Sequence, residues 1–147
     1  MVFVPAIESV FSCSDDCSTK LWGLNGEILK NFDSQHSLRV NSVCLMSNGK
    51  TLLSAGQDGR IVVYECRFGV DFEDLSVKNE MREKFEISMV SSFYNNSTFA
   101  LVGTVDGVLR IWHIGRGECL HEIRGHRGFV NAVLVMTCLT DQPDIFL

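Results

Sequence analysis

One short pattern recurs three times along this chain at a nearly constant spacing. Each copy has an aspartate six residues before a large aromatic residue, with a tight turn directly after the aspartate. The three pairs are Asp16 and Trp22, Asp58 and Tyr64, and Asp106 and Trp112. Successive copies are separated by 42 residues (16 to 58) and then by 48 residues (58 to 106). A period of this size predicts a repeat architecture, in which each unit buries its hydrophobic face against its neighbours.

The middle repeat has the pattern of an antiparallel β-meander. An apolar run over residues 40–46 leads into Asn48-Gly49, which is a strong hairpin signal. Residues 51–56 and 60–66 then read as two further strands on either side of the aspartate turn, the second with alternating side chains. The sequence therefore predicts β-strands joined by short turns.

A second signature lies in the loops between the repeats. His126 follows Gly125 in a Gly-His element, and His36 follows Gln35 in similar surroundings. The two histidines are 90 residues apart, which equals 42 plus 48, so they keep the phase of the aspartate and aromatic positions. With these markers the chain resembles the WD40-repeat family over nearly its whole length. The resemblance implies an all-β fold of about three and a half four-stranded propeller blades, arranged as an open arc.

The resemblance also implies a hydrogen-bonded tetrad that braces each blade. In it the loop histidine contacts the aspartate, and the network extends through a hydroxyl two residues before the aspartate to the tryptophan. We expect each copy here to be incomplete, with Gly56 where the second unit should have a hydroxyl and no histidine over residues 84–87 for the third. The matching positions are Ser14, Asp16 and Trp22 in the first unit, His36, Asp58 and Tyr64 in the second, Thr104, Asp106 and Trp112 in the third, and His126 opening a fourth.

These signatures divide residues 1–147 into a partial blade (1–35), two blades (36–83 and 84–125) and the start of another (126–147). The charged stretch 67–86 interrupts the pattern, and we interpret it as an irregular outer strand followed by a long solvated loop; the alternative is an insertion that docks a basic partner. Propellers typically have four to eight blades. We therefore expect a piece of a longer propeller, or a half-ring that closes with a second copy or another chain.

The amino-acid composition limits the kinds of partner that we expect this chain to bind. With 13 basic and 18 acidic residues the formal charge is −5, which argues against a dedicated nucleic-acid binder. The longest apolar stretch, residues 129–139, is too short to span a bilayer, and the amino terminus lacks the basic region of a signal peptide. We expect a cytoplasmic protein, with a nuclear location as the alternative.

Enzymatic signatures are missing from the sequence. The six cysteines have no zinc-ligand spacing and are interpreted as structural thiols. The sequence has no strained Gly-x-Ser-x-Gly elbow and no phosphate loop, and each recurring Ser, His and Asp is explained by its repeat position. No catalytic residue, metal site or cofactor is predicted.

The resemblance implies a binding module, namely a scaffold or adaptor that recognises a protein or peptide through loops on one rim. An arginine and an aromatic occupy equivalent rim positions, and these residue types often anchor interfaces. The candidate contact residues are Asp15, Leu38, Arg39, Gln57, Arg127 and Phe129. The alternative is a regulatory region of a large multidomain protein, of the BEACH or F-box adaptor type, that packs on its own chain. A propeller enzyme is the least favoured interpretation.

Overall fold

The computed structural model describes residues 1–66, 75–93 and 95–133, which form three four-stranded antiparallel sheets. The first contains β1 (Val2–Val4), β2 (Ser9–Cys13), β3 (Thr19–Gly23) and β4 (Ile28–Phe32). The second contains β5 (Val40–Leu45), β6 (Thr51–Gly56), β7 (Arg60–Cys66) and β8 (Leu75–Arg82). The third contains β9 (Ile87–Phe93), β10 (Asn96–Thr104), β11 (Val108–His113) and β12 (Glu118–Arg124).

Within each sheet the strands lie side by side in chain order, so each sheet is one up-and-down meander. A short 3-10 turn, Pro5–Ile7, joins β1 to β2. None of the three sheets closes on itself within the described ranges. The predicted all-β fold class, with four-stranded blades, is therefore confirmed.

The middle sheet is buried on both faces because alternate side chains of β6 and β7 enter two different cores. The core towards the first sheet contains Val4, Phe11, Leu21, Phe32, Leu52, Val62, Tyr64 and Cys66. The core towards the third sheet contains Met46, Leu53, Ala55, Ile61, Val63, Met81, Ile87, Val90, Ala100, Val102, Trp112 and Ile114. Since a fully buried large apolar side chain contributes roughly 1.5–3 kcal/mol, these cores are the main term that holds neighbouring sheets together.

Polar side chains of the innermost strands also join the second and third sheets. Asn41 Nδ2 donates to the Ile87 carbonyl at 2.7 Å, and Ser92 Oγ donates to the Leu45 carbonyl at 3.1 Å. These bonds fix β5 beside β9 and therefore fix the relative position of the loops at their ends.

The charged stretch 67–86 differs from its prediction. Residues 75–82 form the regular strand β8, which pairs with β7 from Arg60 to Cys66, whereas residues 67–74 lie outside the described part. The predicted outer strand is therefore present, but it is regular, and only residues 83–86 of the stretch follow it, so no long loop lies after it. Alternation is missing because residues 76–80 are exposed on both faces of an outer strand, so no apolar face is required.

Cys66 is buried, and Cys44 is half-buried against the core towards the third sheet. Burial raises the pKa of the Cys44 thiol to about 12 and also raises the pKa of Cys66. Among the described residues no three potential ligands come together in a metal-binding group. The same part of the chain has no helix that is long and apolar enough to cross a membrane. Cys138 lies outside it.

Candidate functional site

The second sheet contains a continuous buried network that starts at the rim. His36 Nδ1 lies 3.1 Å from Asp58 Oδ1, and His36 Nε2 lies 2.7 Å from Ser54 Oγ. Ser54 Oγ lies 3.2 Å from the Tyr64 hydroxyl. An ionised carboxylate only accepts hydrogen bonds, so we assign the Nδ1 proton to His36, and in the Nδ1–H tautomer Nε2 accepts from Ser54.

Asp58 is the acceptor that organises the surrounding turn. Its carboxylate also accepts the backbone N–H of Ser37 at 2.9 Å and that of Arg60 at 3.0 Å. Burial alone would raise the pKa of Asp58, but the bonds from Ser37, His36 and Arg60 outweigh burial and hold the pKa below its usual value. The carboxylate is therefore ionised near neutral pH and fixes the loop that precedes β5.

The hydroxyl of this network occupies a different position from the predicted one. It belongs to Ser54, four residues before Asp58, and not to the position of Gly56. A Cβ on Gly56 would lie 2.7 Å from the Arg39 carbonyl oxygen, so that position has no room for a side chain.

The first sheet follows the same corrected spacing. Trp22 Nε1 donates to Ser12 Oγ at 2.8 Å, whereas the predicted Ser14 accepts the Asp16 backbone N–H at 3.3 Å. Asp16 itself accepts the hydroxyl of Ser18 at 2.7 Å. Ser14 and Asp16 therefore shape the local turn, and the Trp22 indole bonds instead to Ser12, which lies two residues further from that turn.

The third sheet has no such hydroxyl. Val102 occupies the position four residues before Asp106, and the buried Trp112 Nε1 has no hydrogen-bond partner among the described residues. Thr104 instead contacts the Asp106 carboxylate and accepts Arg110 Nη1 at 2.6 Å. The aromatic and the aspartate of this blade are therefore not connected to each other.

A buried arginine provides the brace of the third sheet. Arg110 is 3% exposed and donates through Nη2 to Asp106 Oδ2 at 2.9 Å and through Nε to Glu122 Oε1 at 3.2 Å. Glu83 Oε2 lies 3.6 Å from the same Nε, and the guanidinium lies 5.3 Å from the centre of the Phe85 ring. The bond from Arg110 lowers the pKa of Asp106 to about 2.

Glu83 stands where the other repeats have their histidine. The Gln57 amide donates to the Arg39 carbonyl, and the equivalent Val105 amide donates to the Glu86 carbonyl. Arg39 and Glu86 are therefore equivalent, and so are the residues three positions earlier, His36 and Glu83. The loop is one residue shorter than a fixed offset of 48 assumes. The sequence signal that was missed is Arg110, a cation within the apolar strand Val-Leu-Arg-Ile-Trp that needs carboxylates around it.

The predicted rim residues form two groups, and the first group lies on the loop before β5 and on the turns of the first and second sheets. Leu38 is 47% exposed, and Arg39 Nη2 forms a 3.3 Å ion pair with Glu86 Oε1 on the next blade's loop. Gln57 is half-buried, and its backbone N–H donates to the Arg39 carbonyl at 2.9 Å. Asp15 is exposed in the turn of the first sheet, where the neighbouring Ser14 carbonyl accepts the Val40 amide at 3.1 Å.

The second group lies on the loop after β12. Arg127 and His126 are exposed there, and Phe129 is 67% exposed. The next residue, Val130, is buried, and its carbonyl accepts Ser88 Oγ at 2.6 Å. A Cβ on Gly107 would lie 2.5 Å from the His126 carbonyl oxygen, so the backbone of this loop packs closely on the Asp106 turn.

Comparison with known proteins agrees with this architecture. The family model described as "WD domain, G-beta repeat" matches residues 26–65. The chain is 33% identical over 107 residues to the COMPASS component SWD3 of Saccharomyces cerevisiae, which covers 70% of this chain and 34% of that protein. It is 28% identical over 127 residues to human pre-mRNA-processing factor 17, covering 85% of this chain and 21% of that protein.

Solved structures show the same fold. The structure of U3-55K superimposes with a TM-score of 0.74 at 19% identity, over 87% of this chain and 39% of that one. The WD40 repeats of RRP9 give the same TM-score and identity and are covered to 38%. The chain thus spans between about a fifth and two fifths of these proteins. The repeat spacing, the four-stranded sheets and these similarities together show that the chain belongs to the WD40-repeat β-propeller proteins.

Proposed function

We propose that this chain is a scaffold or adaptor module that binds a protein or peptide through the loops on one rim of its blades. WD40-repeat proteins are commonly interaction scaffolds and are generally not enzymes. The observation that carries the proposal is the presentation of exposed anchors on fixed loops. Leu38 and Phe129 are exposed, yet the nearby Val40 and Val130 are 3% and 4% exposed and are hydrogen-bonded to the preceding blade.

Fixed loops favour binding because little conformational entropy is lost when a partner docks. Arg39 adds a charged group at the same rim, and its ion pair with Glu86 holds the guanidinium across two blades. A partner that contacts this rim meets an exposed aromatic residue and an arginine, and these residue types are enriched at interfaces. The proposed contact residues are Asp15, Leu38, Arg39, Gln57, Arg127 and Phe129.

The blade boundaries at 35/36, 83/84 and 125/126 are part of the same proposal. Val130 supports the last boundary, because its carbonyl accepts a bond from Ser88 on β9 in the way that the Ile87 carbonyl accepts one from Asn41 on β5. We propose that residues 126–147 begin a further blade, and that the remaining blades come from a longer chain or from a second copy.

A regulatory region within a larger protein is the alternative function. It is favoured by the small share of the relatives' length that this chain spans, 34% and 21%. A cytoplasmic location remains a prediction, and relatives named as pre-mRNA-processing and pre-mRNA-splicing factors favour the nucleus as the other location.

The test compares partners of the native protein in cells, tagged at its own locus. A rim variant, Leu38→Ser with Phe129→Ser, is purified beside wild type and beside Val77→Ser, an exposed apolar residue on the outer strand β8. Quantitative mass spectrometry should show at least one protein that wild type and Val77→Ser retain and the rim variant loses. Equal recovery of every partner by all three proteins would exclude the rim as the binding surface.

A further inference from the structure

We infer that the buried hydroxyl of Tyr64 positions the rim, by linking the loop that presents Leu38 and Arg39 to the turn that presents Asp15 on the neighbouring blade. The biological use of this link rests on the proposed function. Its test measures the hydrogen bonding of the rim in the absence of any partner, so this inference and the proposed function can fail separately.

The geometry places Tyr64 between two blades. Its hydroxyl lies 3.2 Å from Ser54 Oγ in its own sheet and 3.1 Å from Thr19 Oγ1 in the first sheet. Tyr64 and Thr19 are both completely buried. The ring is held edge-on by Phe11 and Phe32, with centroid distances of 5.2 and 5.0 Å. The hydroxyl therefore has one well-defined position at the interface.

A tyrosine can make this link and a tryptophan cannot. An indole N–H only donates, so it ends a chain of hydrogen bonds, whereas a phenol hydroxyl donates one bond and accepts others. Trp22, at the equivalent position of the first sheet, donates to Ser12 within its own sheet, and Trp112 has no partner within the described ranges. Among the three described sheets, the second alone has an aromatic whose hydrogen bond crosses to its neighbour.

The carboxylate of Asp58 sets which group donates and which accepts in this hydrogen-bond network. Because it only accepts, His36 Nδ1 donates to it, and in the assigned Nδ1–H tautomer Ser54 donates to His36, Tyr64 donates to Ser54 and Thr19 donates to Tyr64. Each hydroxyl proton then has one acceptor. Without the Tyr64 hydroxyl, the Thr19 proton and the Ser54 oxygen would each lose a buried partner.

Both ends of this hydrogen-bond network reach candidate rim residues. Asp58 also accepts the Ser37 amide at 2.9 Å, directly before Leu38 and Arg39. Thr19 follows Ser18, whose amide donates to Asp16 at 2.9 Å in the turn that presents Asp15. A change at the Tyr64 hydroxyl is therefore expected at the rim, although the side chain itself is inaccessible to a partner.

The experiment is amide hydrogen exchange on the full native polypeptide, read at Ser37 and at core amides of β7 such as Val62. Thr19→Val removes only the donor on the first sheet, and we expect the Ser37 amide to exchange about 2- to 10-fold faster, the factor that one net hydrogen bond represents. Tyr64→Phe should give at least this change, and the double variant should add little to Tyr64→Phe. Thr19→Ser, which keeps the hydroxyl, should exchange like wild type.

The control is Ser88→Ala, which removes a hydroxyl bonded to Gly103 and Val130 in the third sheet and should leave Ser37 unchanged. Rates are compared with those of the core amides, so a general loss of stability is recognised as a common factor. If Tyr64→Phe does not fold, Thr19→Val and Thr19→Ser still decide the question. An unchanged Ser37 rate in Thr19→Val, or a rise no larger than that of the core amides, would overturn the inference.

Discussion

Replacing Val102 by threonine should stabilise the third blade, because it places a hydroxyl where the first two blades already have one. Val102 is fully buried and lies four residues before Asp106, as Ser12 and Ser54 lie before their aspartates. In the first blade the indole reaches that hydroxyl at 2.8 Å. The indole N–H of Trp112 is buried without a partner in the described structure, so a suitable acceptor is missing at this one point.

The size of the effect follows from two opposing terms. A buried donor left unsatisfied costs about 1–3 kcal/mol, and satisfying it recovers most of this. Exchanging one methyl group for a hydroxyl loses about 0.8 kcal/mol of apolar burial. We therefore expect the free energy of unfolding to rise by about 1 kcal/mol, which corresponds to a shift of about 2–4 °C in Tm.

Urea unfolding followed by tryptophan fluorescence measures this difference. The same substitution in a Trp112→Phe background is the control, because phenylalanine has no N–H and the new hydroxyl then lacks its donor. Val102→Thr should stabilise the wild type and destabilise the Trp112→Phe variant. An equal change in both backgrounds would refute the explanation, since it would show that the hydroxyl acts without the indole.

Cys17→Gly should raise the free energy of unfolding by about 1 kcal/mol, because Cys17 has a left-handed backbone (φ 70°) where the equivalent residues of the other blades are glycine. The midpoint of urea unfolding measures this gain, and Cys17→Ala should show none. Arg110→Met should lower Tm by removing the cation from three carboxylates, those of Glu83, Asp106 and Glu122, at a cost of about 3 kcal/mol; a Tm equal to wild type would contradict a bracing role. Asp106 has a pKa of about 2 in the folded state, below its usual value, so its contribution to stability is present above about pH 4 and is lost as the pH falls towards 2. Asp106→Asn should therefore flatten the acid limb of a stability–pH curve, and a limb as steep as that of wild type would refute this.

The repeat itself could be predicted because its markers depend on turn chemistry. An aspartate turn and an aromatic six residues later keep their spacing in every blade, and the structure places His36 3.1 Å from Asp58, where that spacing expects it. The outer strand β8 was predicted only as an irregular strand within residues 67–86, and its position could not be predicted, because residues 76–80 are exposed and have no alternating pattern.

The braces were harder to predict than the blades. Which hydroxyl an aromatic residue bonds to depends on the space beneath the loop that precedes the blade. The position of Gly56 has no such space, because a Cβ there would contact the carbonyl oxygen of Arg39, which is distant in sequence. The role of Glu83 was hidden because one residue is missing from its loop and because a carboxylate replaces the expected histidine. The ion pair between Arg39 and Glu86 joins residues 47 positions apart, and such a contact follows only from the packing of two blades.

The double burial of β6 and β7 makes the middle blade the common support of the other two. Adjacent residues on one strand, such as Leu52 and Leu53, belong to different cores. The first or the third blade can separate from the middle one by opening a single core, but the middle blade can unfold only if both cores open together. Proteases should therefore cut the linker around Asp33 long before they cut within β6, and the fragment that survives longest should be the one that retains the middle blade.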